Sequence, residues 1–340
     1  MRSIVFTPTG RAMELLIQPL NRVIHVDPGT NLLEALRAAQ IPMSYSCLAG
    51  RCGTCRCTIV EGEVFEGGDE QQRPFTAQDQ TVLACRTYVT SPCTIEIAEP
   101  DEVVVHTARI VKASVAAIET MTHDIVRIVL KPAKPIEFSP GQYVQLQFGP
   151  DHVRPYSMAG LTTDANFEFH VRVVPGGKVS QYIAQTLKVG DAVRVSGPLG
   201  SAYLRRKHEG PMLCVAGGTG LAPILSIVRG ALDAGMTNPI HLYFGVRSAR
   251  DIYGLDWLQA LAARHPALKL HVVVTSGDVP EGCRRGVVTE AIEADLRDLA
   301  DWRAYLCGSP PMVEATTLLA RRLGMAAECV YADAFYATTP

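Results

Sequence analysis

The first part of the chain alternates apolar and polar residues in the manner of β-strands. Residues 13–26 predict two strands joined by a turn. Residues 32–39 carry an i, i+1, i+4 apolar stripe, which predicts a helix capped by Thr30. Further short strands are predicted at 57–60 and 94–97. A strand pair, a helix and short strands together predict a small α+β roll.

A second pattern, of short strands separated by Gly and Pro turns, follows from about residue 106 to about residue 205. Its most regular strands are predicted at 109–113, 125–130, 143–148, 167–174 and 192–196. Strands this short, with a turn signal between each pair, are typical of an antiparallel barrel.

From residue 211 onward, apolar strands alternate with amphipathic helices. The strands are predicted at 212–216, 241–246, 269–274 and 305–307, and the helices near 222–234, 255–264, 289–299 and 311–323. A repeated βαβ order predicts a doubly wound parallel sheet.

The length of 340 residues allows two or three domains, each with its own core. We predict an extension at 1–12 (with Met13 as an alternative start), an α+β domain at 13–98, a linker at 99–105, a barrel at 106–205 and an α/β domain at 206–340. No stretch approaches the roughly 20 apolar residues that span a bilayer. We recognise no signal peptide and therefore expect a cytoplasmic protein that does not enter the membrane.

The net charge of −2 gives no reason to expect a nucleic-acid partner. The charge is unevenly distributed, because residues 13–100 hold 11 acidic residues against 6 arginines and no lysine. This acidic first domain has two interpretations: a solvated surface, or a surface that steers the domain toward redox partners.

Cysteines are concentrated in the first domain, which holds six of the ten. Without a secretion signal this indicates metal binding or buried thiols rather than disulfides. Cys47, Cys52 and Cys55 have C-x4-C-x2-C spacing and Cys85 follows, as in plant-type [2Fe–2S] proteins. A four-cysteine zinc site is the alternative, but its second C-x2-C pair is missing. We interpret the two remaining cysteines of this domain as buried thiols: Cys57 and Cys93.

The segment Arg154-Pro155-Tyr156-Ser157 ends a predicted barrel strand and suits a flavin. An aromatic ring can stack on the isoalloxazine, a hydroxyl can meet its N5 edge, and an arginine can pair with a phosphate. Downstream, residues 176–180 form a glycine turn into a helix whose free N–H groups suit a pyrophosphate. The alternative interpretation is a barrel turn followed by an ordinary helix cap.

Residues 214–223 read as a strand, a glycine turn and a helix with Pro223 in its first turn. The G-x-G-x-x-G fingerprint is absent, but bare backbone at a helix N-terminus can still receive a dinucleotide. Residues 307–310 end a later strand, so we expect them at the same edge of the sheet. Each segment alone could also be a simple tight turn.

Together, these cysteines and the segments 154–157, 217–223 and 305–308 resemble the ferredoxin–NAD(P)H reductase components of aromatic-ring oxygenases. The resemblance is greatest to the reductases of naphthalene or nitroarene dioxygenase systems, and it runs from about Met13 to Tyr336. It implies a β-grasp [2Fe–2S] ferredoxin domain, an antiparallel β-barrel FAD domain and an α/β parallel-sheet NAD(P)-binding domain, in that order.

The resemblance also implies roles for individual residues. The FAD contacts would be Arg154, Tyr156, Ser157, His170, Arg172, Gly177, Lys178, Val179, Ser180 and Phe335. The NAD(P) contacts would be Gly218, Thr219, Gly220, Pro223, Cys307 and Gly308. Three residues would lie at the reacting atoms: Ser157, Cys307 and Asp333.

The loop after the second strand of the α/β domain bears on the choice between NADH and NADPH. An acidic residue there would bind the ribose hydroxyls, whereas an arginine would accept a 2′-phosphate. Arg247 and Arg250 stand beside Asp251, and Ser248 suits either ligand. We expect NADH to be used and NADPH to be accepted through Arg247. The alternative is a solvated loop tip.

The predicted function follows from electron counting. A nicotinamide hydride carries two electrons and a [2Fe–2S] cluster accepts one, so FAD between them would explain why one chain carries both centres. The resemblance implies a Rieske-type ferredoxin as acceptor, which feeds a ring-hydroxylating dioxygenase. One alternative is direct delivery to a terminal oxygenase, as in benzoate-type two-component systems. Another is a passive electron carrier with a degenerate nucleotide domain, against which the intact glycine turn argues.

Overall fold

The computed structural model describes residues 12–43, 45, 50, 55–67, 74–77, 81–98, 102, 104 and 106–336. The chain divides into two compact units, Met1–Val103 and Val104–Pro340. Among the described residues, no helix is both long and apolar enough to cross a bilayer.

The first unit has the mixed sheet and crossing helix of a β-grasp domain. Its elements are β1 (Met13–Gln18), β2 (Arg22–Val26), β3 (Thr30–Asn31), α1 (Leu32–Ala38), β4 (Arg56–Glu61), β5 (Glu63–Glu66), β6 (Pro74–Thr76), β7 (Thr81–Leu83), β8 (Thr87–Val89) and β9 (Cys93–Ile97). One sheet has the order β2-β1-β9-β4-β7 with β1 and β9 parallel, and a smaller one has the order β3-β8-β5-β6. Helix α1 buries Leu32 and Leu36 in the same core as Leu15, Ile17 and Ile95 of the sheet.

The predicted helix cap is one residue early. Asn31 caps α1, because its side-chain oxygen accepts the backbone N–H of Glu34 at 3.2 Å. The Thr30 hydroxyl instead donates to the carbonyl of Asp27 at 2.6 Å and closes the preceding turn. The local turn therefore competes with the helix for this hydroxyl.

The second unit begins with the predicted antiparallel barrel. Its elements are β10 (Arg109–Thr120), β11 (Ile125–Pro132), β12 (Tyr143–Gly149), β13 (His152–Ser157), β14 (Phe167–Arg172), α2 (Lys178–Gln185) and β15 (Ala192–Leu199). The strand order is β13-β12-β15-β10-β11-β14, and the edge strands β13 and β14 lie side by side, so the sheet is almost closed. Alternate residues such as Ile128, Leu146, Phe169 and Val195 fill the interior.

The parallel sheet also has the predicted arrangement. Its elements are β16 (Met212–Gly217), α3 (Leu221–Asp233), β17 (Ile240–Val246), α4 (Leu255–Arg264), β18 (Leu268–Val274), β19 (Arg284–Arg285), α5 (Val288–Asp295), β20 (Arg303–Gly308), α6 (Pro310–Arg322) and β21 (Val330–Ala334). The order is β19-β18-β17-β16-β20-β21, and all pairs are parallel. The order reverses at β16, so the ligand crevice is expected at the carboxyl ends of β16 and β20.

Two elements of the α/β domain differ from the prediction, one helix and one strand. Helix α5 ends at Asp295, four residues early, because Leu296 leaves the helix on extended backbone and Leu296 and Leu299 are both buried. The Leu299 N–H donates to the carbonyl of Leu323 at 2.8 Å. Strand β21 has no strong apolar run of its own and is held by pairing with β20.

Polar contacts fix the barrel against the α/β domain within the second unit. The Arg229 guanidinium donates to both carboxylate oxygens of Asp164, at 2.9 and 2.8 Å. The Ser226 hydroxyl, also on α3, donates to the carbonyl of Gly160 at 2.7 Å. Bidentate arginine–carboxylate pairs have a defined geometry, so α3 and the crevice at its N-terminus keep a fixed position relative to the barrel.

Candidate functional site

The crevice begins where β16 runs into the glycine turn. Gly218, Thr219 and Gly220 form one turn of 3₁₀ helix before α3, and Gly218 has a φ of +55°. A Cβ atom on Gly220 would lie 2.1 Å from the carbonyl oxygen of Cys307. Only glycine allows this approach, which leaves bare backbone at the N-terminus of α3. Such a cradle fits a dinucleotide, with Pro223 buried in the first helical turn.

The other wall of the crevice is the end of β20. Cys307 is almost completely buried, and burial, together with the charge of Asp333 and the neighbouring Cys214, raises the pKa of its thiol well above the usual value. The Phe335 N–H donates to the carbonyl of Gly308 at 2.8 Å and fixes the chain after β21. Cys307 therefore presents a neutral thiol rather than a thiolate.

A hydrogen bond joins the barrel to this wall. The Ser157 hydroxyl, at the end of β13, donates to a carboxylate oxygen of Asp333 on β21 at 3.0 Å. Asp333 is paired in register with Cys307. The structure thus brings together the three residues predicted to lie at the reacting atoms, although Ser157 and Asp333 are 176 residues apart in sequence.

The segment predicted to bind flavin, residues 154–157, lies on β13 beside helix α2. Strand β13 contacts α2, and the His152 ring stacks on Tyr182 with 4.6 Å between centroids. Arg154 is exposed and Tyr156 is half-buried, and burial raises the pKa of the Tyr156 hydroxyl. Helix α2 starts after Gly177, so the first N–H groups of the helix have no partner within it. An exposed arginine, an aromatic ring and free amides fit a flavin with its phosphates.

The remaining predicted residues of α2 have structural contacts. The Ser180 hydroxyl donates to the carbonyl of Gly177 at 3.2 Å and accepts the Val174 N–H at 3.1 Å, so its side chain closes the turn. Val179 packs in the barrel core. Lys178 is exposed, and its ammonium lies 3.9 Å from Asp151. What these residues offer a pyrophosphate is their backbone amides and one cationic side chain.

His170 and Arg172 lie on β14, where it meets the glycine turn. The His170 ring has Glu168 on Nε2 at 3.1 Å and the Tyr253 hydroxyl on Nδ1 at 3.0 Å. Arg172 Nε lies 3.2 Å from Asp124, and its guanidinium flanks Gly218. Sequence reasoning missed Glu168, Asp124 and Tyr253, because no motif marks them.

In the loop after β17, Arg247 and Arg250 are exposed, whereas Asp251 is buried. Asp251 is buried, and its carboxylate accepts the Ser248 N–H at 2.8 Å and hydroxyl at 2.7 Å. Burial would raise the Asp251 pKa, but these bonds and the nearby His123 and Arg172 lower it. Arg247 and Arg250 remain exposed. The accessible charge of this loop is therefore positive.

Of the predicted cluster ligands, Cys55 and Cys85 are described, whereas Cys47 and Cys52 lie outside the described residues. A hydrogen bond with the Cys55 side chain is the largest influence on Cys85 and lowers its pKa to about 7, against an opposing contribution from burial. The backbone of Gly50 and the charge of Arg86 lower it further. Two adjacent sulfurs, one of them readily ionised, fit thiolate ligation of iron.

Cys57 and Cys93 differ from this pair, in agreement with their interpretation as buried thiols. Burial raises the pKa of Cys57 to about 12, with a further contribution from Cys93. Burial likewise raises the pKa of Cys93 to about 11. Both side chains pack in the core of the first unit and stay protonated at neutral pH.

Three protein families match successive parts of the chain. Residues 15–90 match the 2Fe-2S iron-sulfur cluster binding domain, residues 112–203 the oxidoreductase FAD-binding domain, and residues 214–317 the oxidoreductase NAD-binding domain.

Whole proteins with this organisation are similar over nearly their full length. The ferredoxin–NAD(P)+ reductase component of the naphthalene 1,2-dioxygenase/salicylate 5-hydroxylase systems of a Ralstonia species is 59% identical over 95% of this chain and 99% of its own. The corresponding component of the Pseudomonas putida naphthalene 1,2-dioxygenase system is 56% identical over the same shares. The chain belongs to this family of reductase components. The crystal structure of the Amycolatopsis cytochrome P450 reductase GcoB superposes with a TM-score of 0.70, at 32% identity over 95% of this chain and 98% of that one.

As a ferredoxin–NAD(P)+ reductase component, the protein is an oxidoreductase with FAD, a [2Fe–2S] cluster and NAD(P)H as its redox groups. It transfers electrons from NAD(P)H through FAD and the cluster to a ferredoxin or oxygenase partner.

The cluster assignment is tested by replacing one cysteine of each kind. In Cys85→Ser we expect the EPR signal of the reduced cluster to be lost or strongly perturbed while FAD stays bound, because a thiolate ligand is removed. The matched control is Cys57→Ser, which removes a protonated core thiol and should leave the signal nearly unchanged. A wild-type signal in Cys85→Ser would show that another residue is the fourth ligand.

The flavin assignment is tested at Arg154. Arg154→Ala should weaken FAD binding by about tenfold or more, since a charge-assisted bond to a phosphate is lost. The measurement is FAD content on purification and the dissociation constant for added FAD. Arg194→Ala, an exposed arginine on β15 of the same barrel, is the control. Equal FAD affinity in the two variants would assign Arg154 a different role.

Proposed function

We propose that the electron acceptor of this reductase is a Rieske-type ferredoxin that feeds an aromatic-ring dioxygenase in the cytoplasm. The proposal is supported by the two relatives above 55% identity, both described as reductase components of naphthalene dioxygenase systems. In this arrangement the protein itself does not contact the aromatic compound. The acidic character of residues 13–100 suits a basic surface on the acceptor.

We further propose that the domains keep the predicted boundaries, with the ferredoxin domain at 13–98, the FAD barrel at 106–205 and the NAD(P) domain at 206–340. In the first of these, Cys47, Cys52, Cys55 and Cys85 would hold the cluster. The ionisable Cys85 beside Cys55 supports this choice over the core thiols.

In the barrel, Arg154 would pair with an FAD phosphate, Tyr156 would stack on the ring, and Ser157 would meet the N5 edge. The amides of 177–180 would hold the pyrophosphate, and Phe335 would cover the ring. Arg172 can still reach a phosphate, because its guanidinium is one-third exposed beside the glycine turn. For His170, whose ring nitrogens are both engaged within the protein, we propose an indirect role.

The hydrogen bond between Ser157 and Asp333 is the observation that carries the proposed mechanism. When bound, FAD supplies a centre that accepts a hydride and gives up electrons singly. The Ser157 hydroxyl is oriented by Asp333, so it can pass a proton between the flavin edge and the carboxylate. The glycine turn and Gly308 would hold the dinucleotide. The neutral thiol of Cys307 would line the nicotinamide site without competing as a nucleophile.

Reconstitution tests the proposed acceptor. The reductase is combined with NADH, a purified naphthalene-type dioxygenase and its Rieske ferredoxin, and naphthalene oxidation coupled to NADH consumption is followed. We expect oxidation only when the ferredoxin is present. Omission of the ferredoxin is the internal control, and equal oxidation without it would favour direct delivery to the oxygenase.

The nucleotide preference follows from the exposed arginines after β17. We expect NADH to be used well and NADPH to be accepted, because the only acid of the loop, Asp251, is buried against Ser248. Arg247→Ala should lower kcat/KM for NADPH about tenfold more than for NADH, since a charged hydrogen bond to the 2′-phosphate is lost.

The control for this variant is Arg264→Ala, in the last turn of α4. It removes the same charge from the domain without touching the loop. Strict use of NADH by the wild type, or equal losses with both nucleotides in Arg247→Ala, would contradict the assignment.

A further inference from the structure

A chain of hydrogen bonds crosses from the barrel to the glycine turn. Arg127 donates to Glu168 at 2.5 Å, and the other carboxylate oxygen of Glu168 lies 3.1 Å from Nε2 of His170. Nδ1 of His170 lies 3.0 Å from the Tyr253 hydroxyl, which in turn lies 3.3 Å from the carbonyl oxygen of Gly218. This series of hydrogen bonds thus ends on the backbone of the glycine turn that follows β16.

The central part of this chain is removed from water. The His170 side chain has no exposed surface, and Tyr253 is 4% exposed. The Tyr253 ring meets His170 edge-on at 5.3 Å, and Trp257 of α4 covers the imidazole at 5.9 Å. Because polar groups at such depth are costly to leave unpaired, these bonds hold their geometry firmly.

Glu168, at the charged end of this series of hydrogen bonds, stays ionised. Burial would raise the pKa of Glu168, but the hydrogen bonds from His170 and Arg127 outweigh it and lower the pKa to about 2. Glu168 is therefore a carboxylate throughout the physiological range and only accepts hydrogen bonds. It requires a proton on Nε2 of His170.

The Gly218 carbonyl is the atom of the glycine turn that the barrel contacts, through His170 and then Tyr253. It accepts the N–H of Leu221 from within the turn and the Tyr253 hydroxyl from outside it. Tyr253 lies between the 3₁₀ turn Ala249–Asp251 and α4, so it belongs to neither strand of the crevice. Its hydroxyl links that turn to the barrel through His170.

We propose that Tyr253 is a positioning residue for hydride transfer, which fixes the glycine turn to the flavin barrel through His170. The inference rests on the proposed function, in which this turn holds the dinucleotide. Correct placement of two bound reactants contributes strongly to rate, and small displacements are costly. Tyr253 is too buried to touch either reactant, so its effect passes through the backbone of Gly218.

The number of available hydrogens decides how these contacts can be satisfied together. The Tyr253 hydroxyl has one hydrogen, and the Gly218 carbonyl can only accept. All contacts are satisfied together when His170 is protonated at both nitrogens: Nε2–H donates to Glu168, Nδ1–H to the Tyr253 oxygen, and O–H to Gly218. The full set of contacts therefore uses one hydrogen on each ring nitrogen of His170 and one on the Tyr253 oxygen.

Charged groups lie around the buried pair His170 and Tyr253. Glu168 is ionised, and Arg127 beyond it is cationic. The charge of Arg172 lowers the pKa of Tyr253, but burial has the larger and opposite effect. Burial raises the pKa of Tyr253, so its hydroxyl stays protonated at neutral pH. Glu119 reaches the network only through its ion pair with Arg127. Tyr253 therefore keeps the hydrogen that it donates to the Gly218 carbonyl.

The test is Tyr253→Phe in the full-length holoprotein, which removes the hydroxyl and keeps the ring. Tyr243→Phe is the matched control, because it removes another buried hydroxyl of the same domain, one that donates to Asp295 at 2.9 Å on the opposite face of the sheet. Flavin reduction by NADH is measured by stopped flow per bound FAD, and NAD+ binding by calorimetry. Amide hydrogen exchange of residues 216–221 reports on the turn without reference to activity.

We expect Tyr253→Phe to slow flavin reduction about three- to tenfold, because that factor corresponds to the loss of one hydrogen bond. The dissociation constant for NAD+ should change less than about twofold. Exchange in residues 216–221 should become faster by a similar factor. Tyr243→Phe should match the wild type in all three measurements.

Wild-type exchange and rate in Tyr253→Phe, or an equal loss in Tyr243→Phe, would overturn the proposal. A companion variant separates it from the proposed function. Gly220→Ala places a Cβ against the Cys307 carbonyl and should abolish NAD+ binding if the turn is the dinucleotide site. Normal NAD+ binding in Gly220→Ala would refute that site, whereas lost binding there with an unaffected Tyr253→Phe would refute only the role of Tyr253.

Discussion

Strands β16 and β20 approach so closely at their carboxyl ends that no side chain fits between the glycine turn and the Cys307 backbone. Parallel pairing sets Ala216 opposite Cys307, and the next turn brings Gly220 against the Cys307 carbonyl. Pairing of β20 with β21 then sets Asp333 beside Cys307. From there Asp333 reaches Ser157 of the barrel. A backbone contact thus determines which side chains can meet at the crevice.

Burial decides the chemistry of the cysteines, which sequence alone treats as one residue type. Cys57, Cys93 and Cys307 have raised pKa values because a thiolate there would lose its hydration without compensation. Cys85 has a lowered pKa because the Cys55 hydrogen bond, the Gly50 backbone and Arg86 stabilise its thiolate. The same division separates the proposed iron ligands from core residues, and at the proposed nicotinamide site it provides a neutral thiol.

The sequence predicted well whatever depends on near neighbours. The order of the three domains, the parallel sheet and even the bounds of α4 at 255–264 follow from local periodicity and turn residues. Sequence failed where groups compete for one partner or where the partners are distant. The Thr30 hydroxyl closes the preceding turn instead of capping α1. Tyr253 could not be found, because its partners are 83 and 35 residues away and no spacing marks such contacts.

The loop after β17 shows how a local contact can decide which charges stay accessible where composition leaves them balanced. In the sequence, Arg247 and Arg250 are set against Asp251, and neither sign prevails. In the fold, Ser248 caps the turn through Asp251, and the Asp251 carboxylate also lies 3.8 Å from His123. The acid therefore stabilises the turn while the arginines stay in solvent. Electrostatic selectivity depends on which charges remain accessible after local hydrogen bonds are satisfied, and here those charges are positive.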